Sequence, residues 1–202
     1  MVTVYQKHLQ DAIERTKALG LAVEDFHIDK HAFPFVHPIV NEARIKQMNE
    51  LLYERVYHLP IDEVAFHCSV HSIVLQKEIE KLLRTETLLT SGYFEFRGKT
   101  AFHHSIDQLN DWVKQKASFS KREIHVWLTL PSLEVIDITA LASLLKVNDK
   151  ILGVDLGHVN YQNCIIGRPD DLEGDHSIIH KPQFVGFDFL RAVGMATPVY
   201  TS

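Results

Sequence analysis

The chain has 202 residues, 46% hydrophobic and 23% charged, which suits a single domain with a sizeable core and excludes a disordered chain. Its net charge is −5 with histidine neutral, and the densest basic cluster (Lys114, Lys116, Lys121, Arg122) is short and interrupted, which argues against nucleic acid as a partner. Two cysteines make no disulfide framework, and no stretch approaches the roughly 20 apolar residues that span a bilayer.

Residues 3–19 carry Val4, Leu9, Ala12, Ile13, Ala18 and Leu19 among polar neighbours, a helix pattern that Gly20 ends. Residues 21–40 hold Pro34 and Pro38 with Phe26, Phe33, Phe35 and Val36, an apolar loop or short extended segment that must pack on something. A second helix is expected over 41–57, with Ile45, Met48, Leu51, Leu52 and Val56 near a 3.6 period, Asn41 placed to cap it and Pro60 just beyond. From Cys68 to about residue 84, Val70, Ile73, Val74, Ile79, Leu82 and Leu83 mark a third helix, expected to be largely buried. Residues 87–97 alternate imperfectly as a strand, and Arg97-Gly98-Lys99 is a turn. Residues 100–120 read as an insertion with a short helix near 106–113.

Strands at 123–130 and 133–138 are joined across Pro131-Ser132, a short hairpin connection, and 140–145 is helical. Of the last fifty residues, 159–166 fits a strand, Gly167-Arg168-Pro169-Asp170-Asp171 a loop and 186–193 a short helix. The order predicts an α+β fold with helices first and an antiparallel sheet after. It forms one domain over 1–202: a helical N-terminal region (1–59), a core (60–147) with an insertion at 98–121, and a C-terminal elaboration (148–202).

Three residues in these elements carry chemistry: Cys68 at a helix start, His125 in the strand Ile124-His125-Val126-Trp127-Leu128, and Asp137 in Val135-Ile136-Asp137-Ile138-Thr139. Cysteine attacks as thiolate, and its free pKa is about 8.5. A helix N-terminus favours the anion, a neighbouring imidazolium favours it further, and a carboxylate behind the imidazole fixes its tautomer. Positions 125 and 137 are symmetric about residue 131, so simple antiparallel pairing sets them opposite each other, about 5 Å apart. Each residue alone has a bland reading, since cysteine is often an inert core residue and Asp137 could cap the helix after it. Their conjunction favours Cys68, His125 and Asp137 as catalytic residues. Cys164, among the apolar neighbours of Asn163-Cys164-Ile165-Ile166, reads as structural.

The pattern resembles the transglutaminase-like branch of the papain-like cysteine hydrolases. That branch has its cysteine at a helix start, its histidine in an H-x-W strand and its aspartate in a "viD-T" strand. Here these are His125-Val126-Trp127 and Val135-Ile136-Asp137-Ile138-Thr139, while Leu89-Thr90-Ser91-Gly92-Tyr93-Phe94 is similar to the "vtGyf" strand that follows the cysteine helix. The resemblance covers about residues 60–145. It implies a papain-like core, a helix bearing the cysteine packed on an antiparallel sheet bearing His and Asp. It also implies a thiol hydrolase or acyltransferase working through a thioester on an amide, peptide or acyl donor, with no cofactor and no metal. Family members often carry glycine or tryptophan where this chain has His67. The long gap to His125 implies an insertion, 98–121, over the site.

The backbone N–H of Cys68 is the first candidate oxyanion donor, with Asn49, Tyr53 and Tyr57 as side-chain options. A non-catalytic binding protein on the same fold, with a vestigial trio, stays open. So does a metal-dependent hydrolase using His67, His71 and another histidine, although no second Cys/His pair stands at zinc spacing. His103-His104 falls in the insertion, and His31, His37, His176 and His180 fall in segments that read as irregular. The first residues lack a basic segment followed by an apolar run, so a reducing cytoplasm is expected, with signal-less secretion open. The expected partners are a protein, peptide or small acyl or amide substrate, with no nucleic acid and no membrane. Substrate and oligomeric state are not legible.

Overall fold

The computed structural model describes residues 2–28, 38–115, 123–148, 152–171 and 178–196. Helix α1 (Val4–Ala18) starts at Thr3, whose side chain accepts the Gln6 N–H, and buries Tyr5, Leu9 and Ala12 along one face. Helix α2 (Glu42–Leu52) is capped by Asn41, which accepts the Arg44 N–H, and runs on through a π-helical turn, Tyr53–Tyr57. After the short α3 (Ile61–Val64), α4 (Cys68–Leu83) begins at the cysteine and ends where Arg84 turns left-handed at φ 55°. Then follow β1 (Leu88–Phe96), β2 (Lys99–Ala101), α5 (Ile106–Lys114), β3 (His125–Thr129), β4 (Val135–Asp137) and α6 (Ala140–Val147). The chain closes with β5 (Ile165–Gly167), β6 (Ile178–Val185) and α7 (Phe187–Ala192).

The class is α+β, and the six strands among the described residues form one antiparallel sheet. Its hub is β1, which pairs with β6 along Thr90–Phe96, with β3 along Leu88–Gly92 and with β2 along Phe94–Phe96. Beyond β3 come β4 and then β5. Successive residues of β3 face opposite layers, as strand geometry requires. Val126 and Leu128 pack in one core with Leu75, Ile79 and Leu83 of α4, whereas Trp127 packs in another with Tyr5, Leu9 and Ala12 of α1. The Trp127 Nε1–H donates to Tyr5 Oη at 2.9 Å, and Tyr5 Oη shares a 2.7 Å hydrogen bond with Thr129. Helix α1 also occupies the outer edge of β6. The Val185 N–H donates to Thr16 Oγ1 at 3.0 Å, and Arg15 Nε donates to the Gln183 carbonyl at 2.9 Å.

Three features differ from the sequence expectation. The β3–β4 hairpin pairs Leu128 with Ile136 and Thr129 with Val135, so it is centred on residue 132 rather than 131. The connection is three residues, Pro131 to Leu133, with Leu133 left-handed at φ 67°, the geometry of a turn closed by a bulge. The shift of two positions preserves which residues share a face. Second, α4 is not buried all round: Val70 and Val74 are 49% and 64% exposed, because only one face of the helix meets the sheet. Third, β5 and β6, from the segment read as a C-terminal elaboration, extend the same sheet.

Candidate functional site

Cys68 is the first residue of α4 and is 4% exposed. The residue before it, His67, occupies the cap position but supplies no side-chain cap, so no cap side chain engages the first-turn N–H groups. Phe66 adopts φ 59°, uncommon for a bulky side chain, in the turn that delivers Cys68. The thiol reaches the residue before β3, where Sγ donates to the Ile124 carbonyl at 3.4 Å, and one turn on Ser72 Oγ donates to the Val126 carbonyl of the strand at 3.4 Å.

His125 opens β3 and Asp137 ends β4, and both are fully buried. His125 Nε2 lies 2.6 Å from Asp137 Oδ2. The expected neighbourhood therefore forms, diagonally across the hairpin because of its register. Asp137 Oδ1 accepts the Thr139 N–H at 3.2 Å, so this carboxylate also steadies the start of α6. The capping role and the imidazole-holding role are not alternatives. His125 Nδ1 is buried and has no hydrogen-bond partner. The structure thus brings imidazole and carboxylate into direct contact and sets the thiol against the backbone beside that imidazole.

A residue outside the expected trio completes the cluster. His180, on β6 and 1% exposed, has Nε2 2.8 Å from the same Asp137 Oδ2. Its Nδ1 also lacks a partner, and its ring packs edge-on to Trp127 at 5.0 Å. Burial opposes a charge on His125, but the Asp137 charge and hydrogen bond outweigh it and Cys68 adds in the same direction. Together they raise the imidazole from 6.5 to about 10. Burial likewise works against the Asp137 carboxylate, yet His125 and then His180 hold it well below its ordinary range. A buried carboxylate taking two imidazole donors and one backbone donor is a well-satisfied anion.

Aromatic rings roof the cluster. Phe102, left-handed at φ 66°, stacks on His125 with centroids 5.4 Å apart and planes 20° apart, and Phe94 meets the same imidazole edge-on at 5.1 Å. Phe66 in turn contacts Phe102 edge-on at 6.4 Å, and it is 48% exposed. The segment expected as an insertion over the site thus places Phe102 on His125. Its beginning belongs to the sheet as β2, and its helix α5 buries Leu109 in the main core. His103 packs edge-on to Tyr93, while His104 contacts Trp112 and lies 3.0 Å from the Glu123 carbonyl. Phe119, in the same segment of the sequence, lies outside the described residues.

The remaining candidates are elsewhere engaged. His71 Nε2 lies 3.1 Å from the Glu63 carbonyl and His67 Nδ1 3.2 Å from that of Ala65, and the two rings are 6.4 Å apart. Asn49 and Tyr53 line a shallow surface hollow on α2 with Ile45 and Glu54, and Tyr57 donates its hydroxyl to the Ile138 carbonyl. Cys164 lies just before β5 with Sγ 3.4 Å from the Asp137 carbonyl. Burial first, and the Asp137 charge second, push its thiol well above the ordinary value. His31, His37 and His176 lie outside the described residues.

His125, Asp137 and His180 are also the group whose ligand atoms come together closely enough for a cation, all within 4.8 Å, among the described residues. Here both Nε2 atoms address one carboxylate oxygen at hydrogen-bond distance, which spends those nitrogens on Asp137. No helix among the described residues is long and apolar enough to cross a membrane. In comparisons with known proteins, no family model, no curated protein and no solved structure matches this chain.

The sequence signal for His180 is faint. Ile178, His180 and Phe184 are spaced by even numbers in a β-branched run, but Pro182 interrupts it, and proline argues against an inner strand. The fold accommodates Pro182 at a bulge opposite Gly92. A Cβ on Gly92 would lie 2.1 Å from the Lys181 carbonyl oxygen, so glycine is required for β6 to approach.

Proposed function

We infer that this protein is a thiol hydrolase or acyltransferase, built on a papain-like, transglutaminase-like core, that forms a thioester at Cys68. The observation that carries this is the buried 2.6 Å contact between His125 Nε2 and Asp137 Oδ2, which leaves Nδ1 without a partner on the residue next to Ile124, whose carbonyl Cys68 touches. In the proposed cycle the Cys68 thiol gives its proton to His125 Nδ1. The thiolate then attacks the carbonyl carbon of an amide, peptide or acyl donor. The carbonyl oxygen takes the charge, facing the first-turn N–H groups of α4. As the bond to the leaving group breaks, His125 returns the proton to that group, and the acyl chain remains on sulfur. Water or an amine then attacks the thioester, giving its proton to Nδ1, and the C–S bond breaks to restore Cys68. Asp137 stays ionised throughout, holding His125 in the tautomer this requires.

Alkylation with a limiting dose of iodoacetamide at pH 6, read by mass spectrometry, tests the assignment. Cys68 is expected to label faster than Cys164, although Cys68 is the more buried of the two. His125→Ala should bring the Cys68 rate down toward that of an ordinary thiol. Equal labelling of both cysteines in the wild-type protein would remove the nucleophile and leave a binding protein with a structural His–Asp pair. Loss of activity with a chelator, and its return with zinc, would instead favour a cation at His125, Asp137 and His180.

A further inference from the structure

We propose that His180 is a positioning residue of this site: it donates from Nε2 to the same Asp137 oxygen as His125, fixing the carboxylate rotamer and dividing its charge between two imidazoles. The assignment deepens the thiol-enzyme reading, on which its catalytic consequence rests. Its observations are geometric. The two Nε2 atoms stand 2.6 and 2.8 Å from Oδ2, all three residues are buried, and both Nδ1 atoms are unpartnered.

A simple Cys-His-Asp relay needs one imidazole on its carboxylate, and burying a second costs desolvation that packing alone does not recover. A leucine or phenylalanine at position 180 would fill the same space beside Trp127 without a polar atom to satisfy. With Oδ1 held by the Thr139 N–H and Oδ2 by two N–H donors, Asp137 has no freedom to turn away from His125. With Nε2 of His125 committed to Asp137, Nδ1 is the nitrogen left to exchange a proton with the Cys68 thiol. His180 arrives on β6, whose register with β1 sets it opposite Phe94, so a strand remote in sequence locks the hairpin that bears His125 and Asp137.

The titratable groups around the cluster are Cys68 from α4, Cys164 before β5, Tyr57 from the π-helical turn and Tyr5 from α1. The last three bear on Asp137 and are pushed toward their neutral forms, chiefly by burial. The two imidazoles are therefore the groups that share the carboxylate charge.

The test compares wild-type protein with His180→Leu, which removes the donor, and His180→Gln, whose amide places an N–H near the position of Nε2. Two readouts are taken: the Cys68 alkylation rate at pH 6, and the imidazole N–H signals of His125 and His180 by NMR of ¹⁵N-histidine-labelled protein. Wild-type protein should show two downfield Nε2–H signals. His180→Leu should slow Cys68 by about tenfold or more, the usual cost of losing an outer partner, and should broaden or move the His125 signal. His180→Gln should recover most of the rate and keep that signal in place.

A folded His180→Leu protein with an unchanged His125 signal and unchanged Cys68 rate would overturn the proposal. Should that variant fail to fold, a His180→Gln protein that loses the His125 signal would overturn it equally. If wild-type Cys68 is no faster than Cys164, the thiol-enzyme reading fails, and the His125 signal alone then decides whether His180 positions Asp137.

Discussion

Asp137 is the residue on which the site converges, because its two oxygens serve two histidines and a helix start. Asp137→Asn keeps an oxygen for Thr139, but its amide NH2 faces two imidazole N–H donors. At least one ring must then change tautomer, and if that ring is His125 the bare Nδ1 is lost. The expected outcome is a folded protein whose Cys68 alkylation collapses and whose turnover falls by up to about 10⁴-fold. Circular dichroism and thiol labelling check the two halves, and unchanged labelling would reduce Asp137 to a cap. The same pair makes a pH prediction. The raised His125 pKa stabilises the fold fully below about 6.5, and that stability is lost as pH climbs toward about 10. The depressed Asp137 pKa stabilises it above about 3.8 and is lost as pH falls below that. The melting-temperature gap between wild type and His125→Gln should therefore be widest between about pH 4 and 6.5 and narrow on the alkaline side. A gap independent of pH would argue against an ionised pair.

At the scale of elements, the β1–β6 junction is the most constrained point. Gly92 lies opposite His125 on β3 and opposite Pro182 on β6. Gly92→Ala would drive a methyl group into the Lys181 carbonyl, and the backbone must separate to admit it. A loss of about 3 kcal/mol or more, the upper range of overpacking, is expected in chemical denaturation, with Cys68 labelling lost in parallel. Much of this level was legible in the sequence. The apolar period placed α4 from Cys68, Asn41 capped α2 as expected, and even spacing about a short turn brought His125 near Asp137. The register departs from a centre at residue 131 because left-handed geometry at Leu133, which leucine rarely adopts, closes a three-residue connection centred on residue 132. His180 was not legible because its strand carries a proline that only a bulge against glycine makes tolerable, and pairings between β1 and β6 are set by tertiary contact rather than local pattern.

For the whole molecule, the first helix packs on the last strand of the sheet. Helix α1 packs Tyr5, Leu9 and Ala12 against Trp127 and Val185, and it satisfies the outer edge of β6. Removing residues 1–20 should therefore uncover the layer beneath Trp127 and free a strand edge, although the trio itself is untouched. Loss of the near-ultraviolet dichroism of tryptophan and a tendency to aggregate are the expected signs. Full retention of both structure and Cys68 labelling would make α1 dispensable.

The Phe102 ring stacked on His125, with Phe66 outside it, has a kinetic consequence. With its imidazole partner covered in this way and Cys68 itself 4% exposed, labelling reports two quantities multiplied together, the fraction of time the thiol is uncovered and its reactivity once it is. Small reagents at low concentration sample the product, whereas at high concentration the rate must level off at the frequency of opening, as amide exchange does when closing becomes the slower event. The labelling ratio of Cys68 to Cys164 at low reagent concentration then carries both quantities. Its dependence on reagent size becomes a measure of the doorway, and Phe102→Ala should steepen the rate for large reagents far more than for small ones.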